Sequence, residues 1–382
     1  MKVALLSRAF LPSVGGVETS TAMIAATWQA AGHDVEVVTA VPDPSSRPWP
    51  FRVTRSWTLN ALRRALAGAE VAVTNGYSRV AVAVAALERK PLTVFHQGYQ
   101  LICSDGVGFR ERTFHGFRTL DDLKLAFAAG RGQGARALAR LPFDAVVRAW
   151  PAGLRHVVPS QHVGRRLGLA RYQVIYQPPN PAVVDALAAL GPPRADARAA
   201  AYATGDILCF ARLVFEKGCD DLVRAYARFR EGAGRTLSRP LPRLIIHGDG
   251  PERPVLEELV RSLGLERDVE LSPFVSGEEL ARAARRASLV VVPSHWEEPG
   301  ATIAVELFAC GAAVVASATG AQGEIFDGGH GRLFPNGDVE ALAAALTQHF
   351  TAGPIYPRPS GSEPWTVPAI QRALLNLLQP SG

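Results

Sequence analysis

The stretch PSHWEEPGATIAVELFACGAAVVAS, Pro293 to Ser317, decides how this chain is read. The apolar run Leu289 to Pro293 leads into it, a short polar loop follows, and a second apolar run, Ala313 to Ala316, closes it. Strand, loop, helix, strand is the plain reading. Ile303, Leu307 and Cys310 recur at helical spacing and predict a packed face, while Thr302 and Glu306 share another face. Glu298 and Glu306 are separated by seven residues. A carboxylate flanked by Val305, Leu307 and Phe308 is costly to bury unless something donates to it, and a ribose diol donates twice. The helix start near Gly300 and Ala301 offers unpaired N–H groups and a positive dipole end to a diphosphate or a sugar hydroxyl. The competing reading of Glu306 is a surface glutamate on an exposed helix, which the apolar flanks oppose.

The same alternation fills the chain. In the first half the strand-like runs are Val3 to Leu6, Val35 to Val38, Val71 to Val73, Leu92 to Phe95, His156 to Pro159 and Gln173 to Tyr176. Helix-like segments intervene at Val17 to Ala31, Val80 to Leu87, Leu120 to Leu141 and from Gln161. After the proline-rich QPPNP, Gln177 to Pro181, the pattern restarts with Ile207 to Ala211, Leu244 to His247, Val269 to Leu271 and Leu289 to Pro293. Such alternation predicts an α/β fold with two Rossmann-like, doubly wound parallel-sheet domains facing a cleft. The expected domains are 1–177 and 178–353, with a C-terminal helix, 365–382, completing the first. Neither half has G-x-G-x-x-G after its first strand, which counts against hydride transfer.

Composition narrows the class. The chain has 382 residues, 48% of them apolar and 20% charged, so a two-domain globular protein is expected. No apolar run is long enough for a bilayer, and a strand-like run at the start replaces a signal peptide. Four cysteines without CxxC spacing predict a reducing, cytoplasmic setting and no cysteine-bound metal. The net charge is +6, and between Arg131 and Arg171 eight arginines face a single acid, Asp144. A solvated helix face explains that excess; peripheral contact with the anionic inner face of a membrane, or an acidic acceptor, is the other reading. Arginine without interleaved aromatics makes no nucleic-acid groove.

Three further segments carry chemistry. In FARLVFEKG, Arg212 and Lys217 follow a strand and place two cations where a leaving diphosphate needs them. In LPSVGGVE, Gly15 and Gly16 permit close approach of backbone to phosphate at a helix start, with a simple tight turn as the alternative. HGDGPE, His247 to Glu252, is a similar turn of architectural character, and Gly248 is its candidate for approaching the base.

These segments together, with TGAQGEIFDGGHGRLF, resemble the retaining glycosyltransferases of family four, which have the GT-B fold. The resemblance is dense in the second half and sparse in the first. It implies that Glu298 holds hydroxyls of the donor sugar and Glu306 the ribose, while Arg212 and Lys217 bind the diphosphate. Gly16, with Gly15, would approach the diphosphate, and Ala301 and Thr302 would complete the cradle with Gly300. His96, ending the strand Leu92 to Phe95, takes the place of a histidine lining the sugar site, and Glu324 matches the glutamate of the glycine-rich turn. The chain departs from the family after Pro299, where Gly300 and Ala301 replace an aromatic and a glycine, and at Gln177 to Pro179, which replaces Pro-Asn-Gly.

The implied reaction moves a sugar from a nucleotide-diphosphate donor of unidentified base to a small-molecule, glycan or lipid-linked acceptor, with retention and with no cofactor or metal. No Asp-x-Asp occurs, so the basic pair would serve the diphosphate. Acceptor contacts are expected in Gln97 to Phe117, and replacing Lys217 by Ala is expected to depress turnover far more than folding. A nucleotide-sugar epimerase on the same fold and a non-catalytic nucleotide-sugar-binding partner are the alternatives.

Overall fold

In the computed structural model, residues 1–13, 15–45, 48–103, 109–110, 113–114, 119–128, 130–149, 153–233, 237 and 240–379 are described. Ten of the 21 residues of the expected acceptor segment, Gln97 to Phe117, therefore lie outside the described residues, as does the side chain of Arg131. The chain forms two compact units, Met1–Pro178 together with the segment from Pro368, and Pro179–Val367.

The first unit is built on a seven-stranded parallel sheet. Its spatial order is Arg52–Thr54, Asp34–Val38, Lys2–Leu6, Val71–Asn75, Leu92–Phe95, Leu154–Val158, Gln173–Val174. The chain order thus runs outward in one direction from the first strand, returns, and continues in the other. The reversal falls between Lys2–Leu6 and Val71–Asn75. Helices cover the sheet, and a central strand such as Leu92–Phe95 is buried throughout, which accounts for its continuous apolar run. The C-terminal helix Val367–Asn376 closes this unit against Gly16–Ala30: the fully buried Trp28 donates its indole N–H to the Leu374 carbonyl at 2.9 Å.

The second unit repeats the plan with six parallel strands, ordered Val269–Ser272, Leu244–His247, Ile207–Phe210, Leu289–Val292, Val314–Ser317, Arg332–Phe334. Its reversal lies between Ile207–Phe210 and Leu289–Val292, the strands that precede FARLVFEKG and the polar loop of the opening stretch. In open parallel sheets ligands bind outside the carboxyl ends at this point. The fold therefore delivers both segments to one place.

Two expectations of local structure are corrected. Leu120 to Leu141 is two helices, Thr119–Ala128 and Arg131–Ala149, because Gly130 at φ 140° breaks the run. The arginines between 131 and 171 do not share one helix face: Arg155 lies in the strand Leu154–Val158, and Arg165 and Arg166 in the helix Gln161–Leu167. Asp144, the single acid, is buried and bound by Arg79 and Tyr77, with Arg79 donating from two nitrogens at 2.8 and 2.7 Å.

Candidate active site

Two chain turns build the site of the second unit. After the strand Ile207–Phe210 the chain forms a tight helical turn, Phe215–Lys217, and then Gly218 in the left-handed region at φ 66°. A Cβ at Gly218 would sit 2.2 Å from the Pro293 carbonyl oxygen, so glycine is required for the close approach of the second turn. That second turn, following Leu289–Val292, docks on one acceptor: the Glu216 carbonyl receives the backbone N–H of His295 at 2.9 Å, that of Trp296 at 3.1 Å and the Ser294 hydroxyl at 3.1 Å.

The docking brings Lys217 to Glu298. The lysine ammonium donates to Glu298 Oε1, which also accepts from the Ser294 hydroxyl at 2.8 Å, and it lies 5.5 Å from the centre of the Trp296 ring. The pair is mostly shielded, with side-chain exposures of 19% and 9%. Glu298 is gripped from behind as well. Its carbonyl accepts from Ala321 N–H at 2.8 Å, and a Cβ at Gly320 would lie 2.4 Å from its backbone nitrogen. Its neighbour Glu297 is also buried, but it is Glu298 that meets the lysine.

Gly300 is buried and Ala301 follows in the left-handed region at φ 39°, ψ 56°. Glycine would adopt that conformation freely, whereas alanine holds it at a steric cost. The helix Thr302–Cys310 begins there with no side-chain cap. It is buried on nearly every side: Ala304, Val305, Leu307, Phe308 and Cys310 are all core, while Ile303 is only half-buried, so the single packed face expected from spacing understates its burial. Glu306 is 6% exposed, and the exposed-helix reading fails. Burial pushes its carboxyl up to about 7, against the opposing hydrogen bond from the Asn180 backbone N–H to Oε1 at 2.9 Å. Asn180 belongs to the QPPNP entry and also caps the helix Pro181–Leu190, accepting from Ala182 N–H at 3.0 Å.

The remaining residues are placed as follows. Arg212 is exposed, and among the described residues no side chain pairs with it. Gly248 packs on backbone: a Cβ there would lie 1.8 Å from the Ala211 carbonyl oxygen, and Gly250 approaches Leu213 in the same way, so HGDGPE props the turn that carries Arg212 and Lys217. Glu324 is half-buried in the helix Gly320–Phe326, and Thr302 is half-buried at its helix start. In the first unit Gly15 is extended and Gly16 opens Gly16–Ala30 with open space where a Cβ would be. His96 is fully buried at the carboxyl end of its strand, with Nε2 3.0 Å from His156 Nδ1. Burial, then the neighbouring imidazole, pull it down to about 3, which keeps it neutral.

Sequence reasoning missed Asn180, Ser294, Trp296 and Gly320 as parts of this arrangement. Gly320, in a Thr-Gly turn after a strand, carried a usable signal, and Ser294 lies only four residues from Glu298; Asn180 and Trp296 act through contacts distant in sequence.

Comparison with known proteins agrees with this fold. The architecture is that of GT-B glycosyltransferases. Sucrose-phosphate synthase from Thermosynechococcus elongatus superposes with a TM-score of 0.61 at 20% identity, covering 98% of this chain and 94% of that one. Anabaena HepE, solved with UDP-glucose, gives a TM-score of 0.59 at 17% identity over 98% and 94%. Residues 202–356 match the family described as Glycosyl transferases group 1. Among curated proteins, a D-inositol 3-phosphate glycosyltransferase of Kineococcus radiotolerans is 36% identical over 190 residues, 46% of this chain and 43% of that protein. The chain spans less than half the length of the curated relatives it matches. The matched region contains Lys217, Glu298 and Glu306, and ends before the C-terminal helix.

Proposed function

We propose that this chain is a glycosyltransferase that moves a sugar from a nucleotide-diphosphate donor to an acceptor hydroxyl with retention of configuration. The observation that carries the proposal is the arrangement at the switch point of the second sheet: a shielded Lys217–Glu298 pair, an uncapped helix start and the buried Glu306 follow one another on two docked turns. In this reading the ribose diol donates to Glu306, and the diphosphate lies against the start of Thr302–Cys310 near Lys217 and the exposed Arg212. Glu298, held between Lys217 and Ser294, accepts from donor-sugar hydroxyls.

The bond from the sugar's anomeric carbon to the diphosphate oxygen breaks, the acceptor oxygen forms the new bond on the same face, and the acceptor proton passes to the leaving phosphate. Cationic donors fixed in advance lower the cost of the charge developing on that leaving group. Nucleotide-sugar use is also supported by HepE, which was solved with UDP-glucose. The test is thermal-shift screening against UDP, GDP, ADP and TDP sugars, followed by the anomeric configuration of the product. Failure of every nucleotide to bind overturns the proposal; an inverted product overturns its stereochemistry.

The acceptor side is proposed to meet an anionic lipid surface. The helix Arg131–Ala149 buries one face and turns a second apolar stripe outward, with Ala135, Leu138, Ala139, Pro142, Ala145 and Val146 all exposed. Leu138 is 52% and Val146 50% exposed, and the only acid of the helix, Asp144, is buried in its pair with Arg79. An apolar stripe flanked by arginine is complementary to anionic headgroups above acyl chains. Among the described residues no helix is long and apolar enough to cross a membrane. Co-flotation with phosphatidylglycerol vesicles but not phosphatidylcholine vesicles, lost when Leu138 and Val146 are both changed to Gln, tests this; flotation unaffected by those changes refutes it.

A further inference from the structure

His295 binds nothing in the proposed reaction, yet it occupies the joint of the site. Its backbone N–H is on the Glu216 carbonyl and its own carbonyl accepts from Asn336 Nδ2 at 2.8 Å, so both sides of the residue are fixed. Its ring fills the space beside Gly218, whose absent Cβ would lie 3.0 Å from His295 Cδ2, and meets Phe215 edge to face at 5.0 Å. Its Nε2 lies 2.8 Å from Asp221 Oδ2 in the first turn of Cys219–Ala233, with side-chain exposures of only 13% and 19%. The residues on either side of His295 are Ser294, which donates to Glu298, and Trp296, over which the Lys217 ammonium rests.

We infer that His295 is a positioning residue: its ion pair with Asp221 clamps the turn carrying Ser294, Trp296 and Glu298 onto the turn carrying Lys217, and so makes diphosphate binding dependent on pH. The inference rests on the proposed donor site. The charged groups facing the ring are Asp221 and Asp220 of the helix; Glu216 meets the residue through backbone alone. Burial works against the imidazolium, but the hydrogen bond to Asp221 and the charges of Asp221 and Asp220 outweigh it and raise the ring above its ordinary value. The clamp is therefore closed while the ring is protonated and loosens as rising pH removes that proton, at a higher pH than for an ordinary histidine.

The experiment compares wild type with His295→Asn and Asp221→Asn, each checked for cooperative unfolding. The readout is the Kd of whichever of UDP, GDP and ADP wild type binds, measured from pH 6 to 9, together with NMR titration of the His295 ring without nucleotide. In wild type the Kd is expected to fall as Glu306 ionises, at about 7, and to rise as the His295 ring deprotonates. In both variants it is expected to be about tenfold weaker at pH 6.5, with the fall kept and the rise abolished. The double variant should be no weaker than either single one. Unchanged binding, or a loss with the wild-type pH slope intact, overturns the clamp. A ring that titrates normally in wild type overturns it independently of any nucleotide, whereas an elevated titration without nucleotide binding points to failure of the donor site instead. The carboxylate and ring atoms of Asp220, Asp221 and His295 all lie within 4.8 Å of one another. Activity abolished by EDTA and restored by a divalent cation would make them ligands and overturn the clamp.

Discussion

Glu306→Gln is expected to make the protein more stable and worse at binding its donor. The carboxyl is 6% exposed and sits at about 7 in the folded chain, against an ordinary value of 4.5. The folded state therefore holds this proton more tightly than the unfolded state does. The stability this supplies is fully present below about pH 4.5 and is lost as pH rises through about 7. The shift corresponds to about 3 kcal/mol between the two plateaus. Glutamine keeps an oxygen that accepts from Asn180 N–H and has no proton to lose. Urea unfolding without nucleotide should thus find the variant close to wild type at pH 5 and about 3 kcal/mol more stable at pH 8. Nucleotide affinity should move the other way, because a neutral amide accepts from a ribose diol more weakly than a carboxylate does. Isothermal titration in two buffers of different ionisation enthalpy should also show wild type, and not the variant, releasing a proton on nucleotide binding near pH 6.5. Stability curves that run parallel from pH 5 to 8 would refute the assignment of the titrating group. Undiminished nucleotide affinity in the variant would refute its place at the ribose.

Gly320→Ala should destabilise the second unit by at least about 2 kcal/mol, since it combines a left-handed φ of 59° with a Cβ 2.4 Å from the Glu298 backbone nitrogen. Denaturation will measure the loss, and turnover should fall with it as Glu298 is displaced. Ala301→Gly should stay within about 1 kcal/mol of wild type, relief of the left-handed alanine offsetting glycine's looser unfolded chain, while Ala301→Val should be clearly destabilised; equal stability of all three would count against the backbone geometry. Lys217→Ala should abolish transfer and also cost about 3 kcal/mol or more of stability, because it strands the shielded Glu298. The sequence-based expectation put the loss of turnover far above the cost to folding; the buried pair gives that folding cost a size. A double change, Lys217→Met with Glu298→Leu, should recover much of that stability without recovering activity, as denaturation and a transfer assay will show.

The doubly wound architecture was legible in the sequence because a parallel sheet covered on both faces needs near-continuous apolar strands, and Leu92 to Phe95 and Leu289 to Val292 are such runs. Short edge strands were not legible: Arg52–Thr54 and Arg332–Phe334 carry charge and are half-exposed, so no apolar run marks them. Glycine positions announced the turns but not their purpose, since a Cβ at Gly248 would collide with Ala211 and one at Gly320 with Glu298. The spacing of Glu298 and Glu306 marked both as chemical. Only the tertiary structure decided that Glu298 is tied to Lys217, 81 residues earlier, and that Glu306 is buried and leans on Asn180, 126 residues earlier. Local pattern records which face of an element avoids water. The partner of a buried charge is set by which strand ends the sheet order brings together, and that order is fixed by the packing of the whole unit.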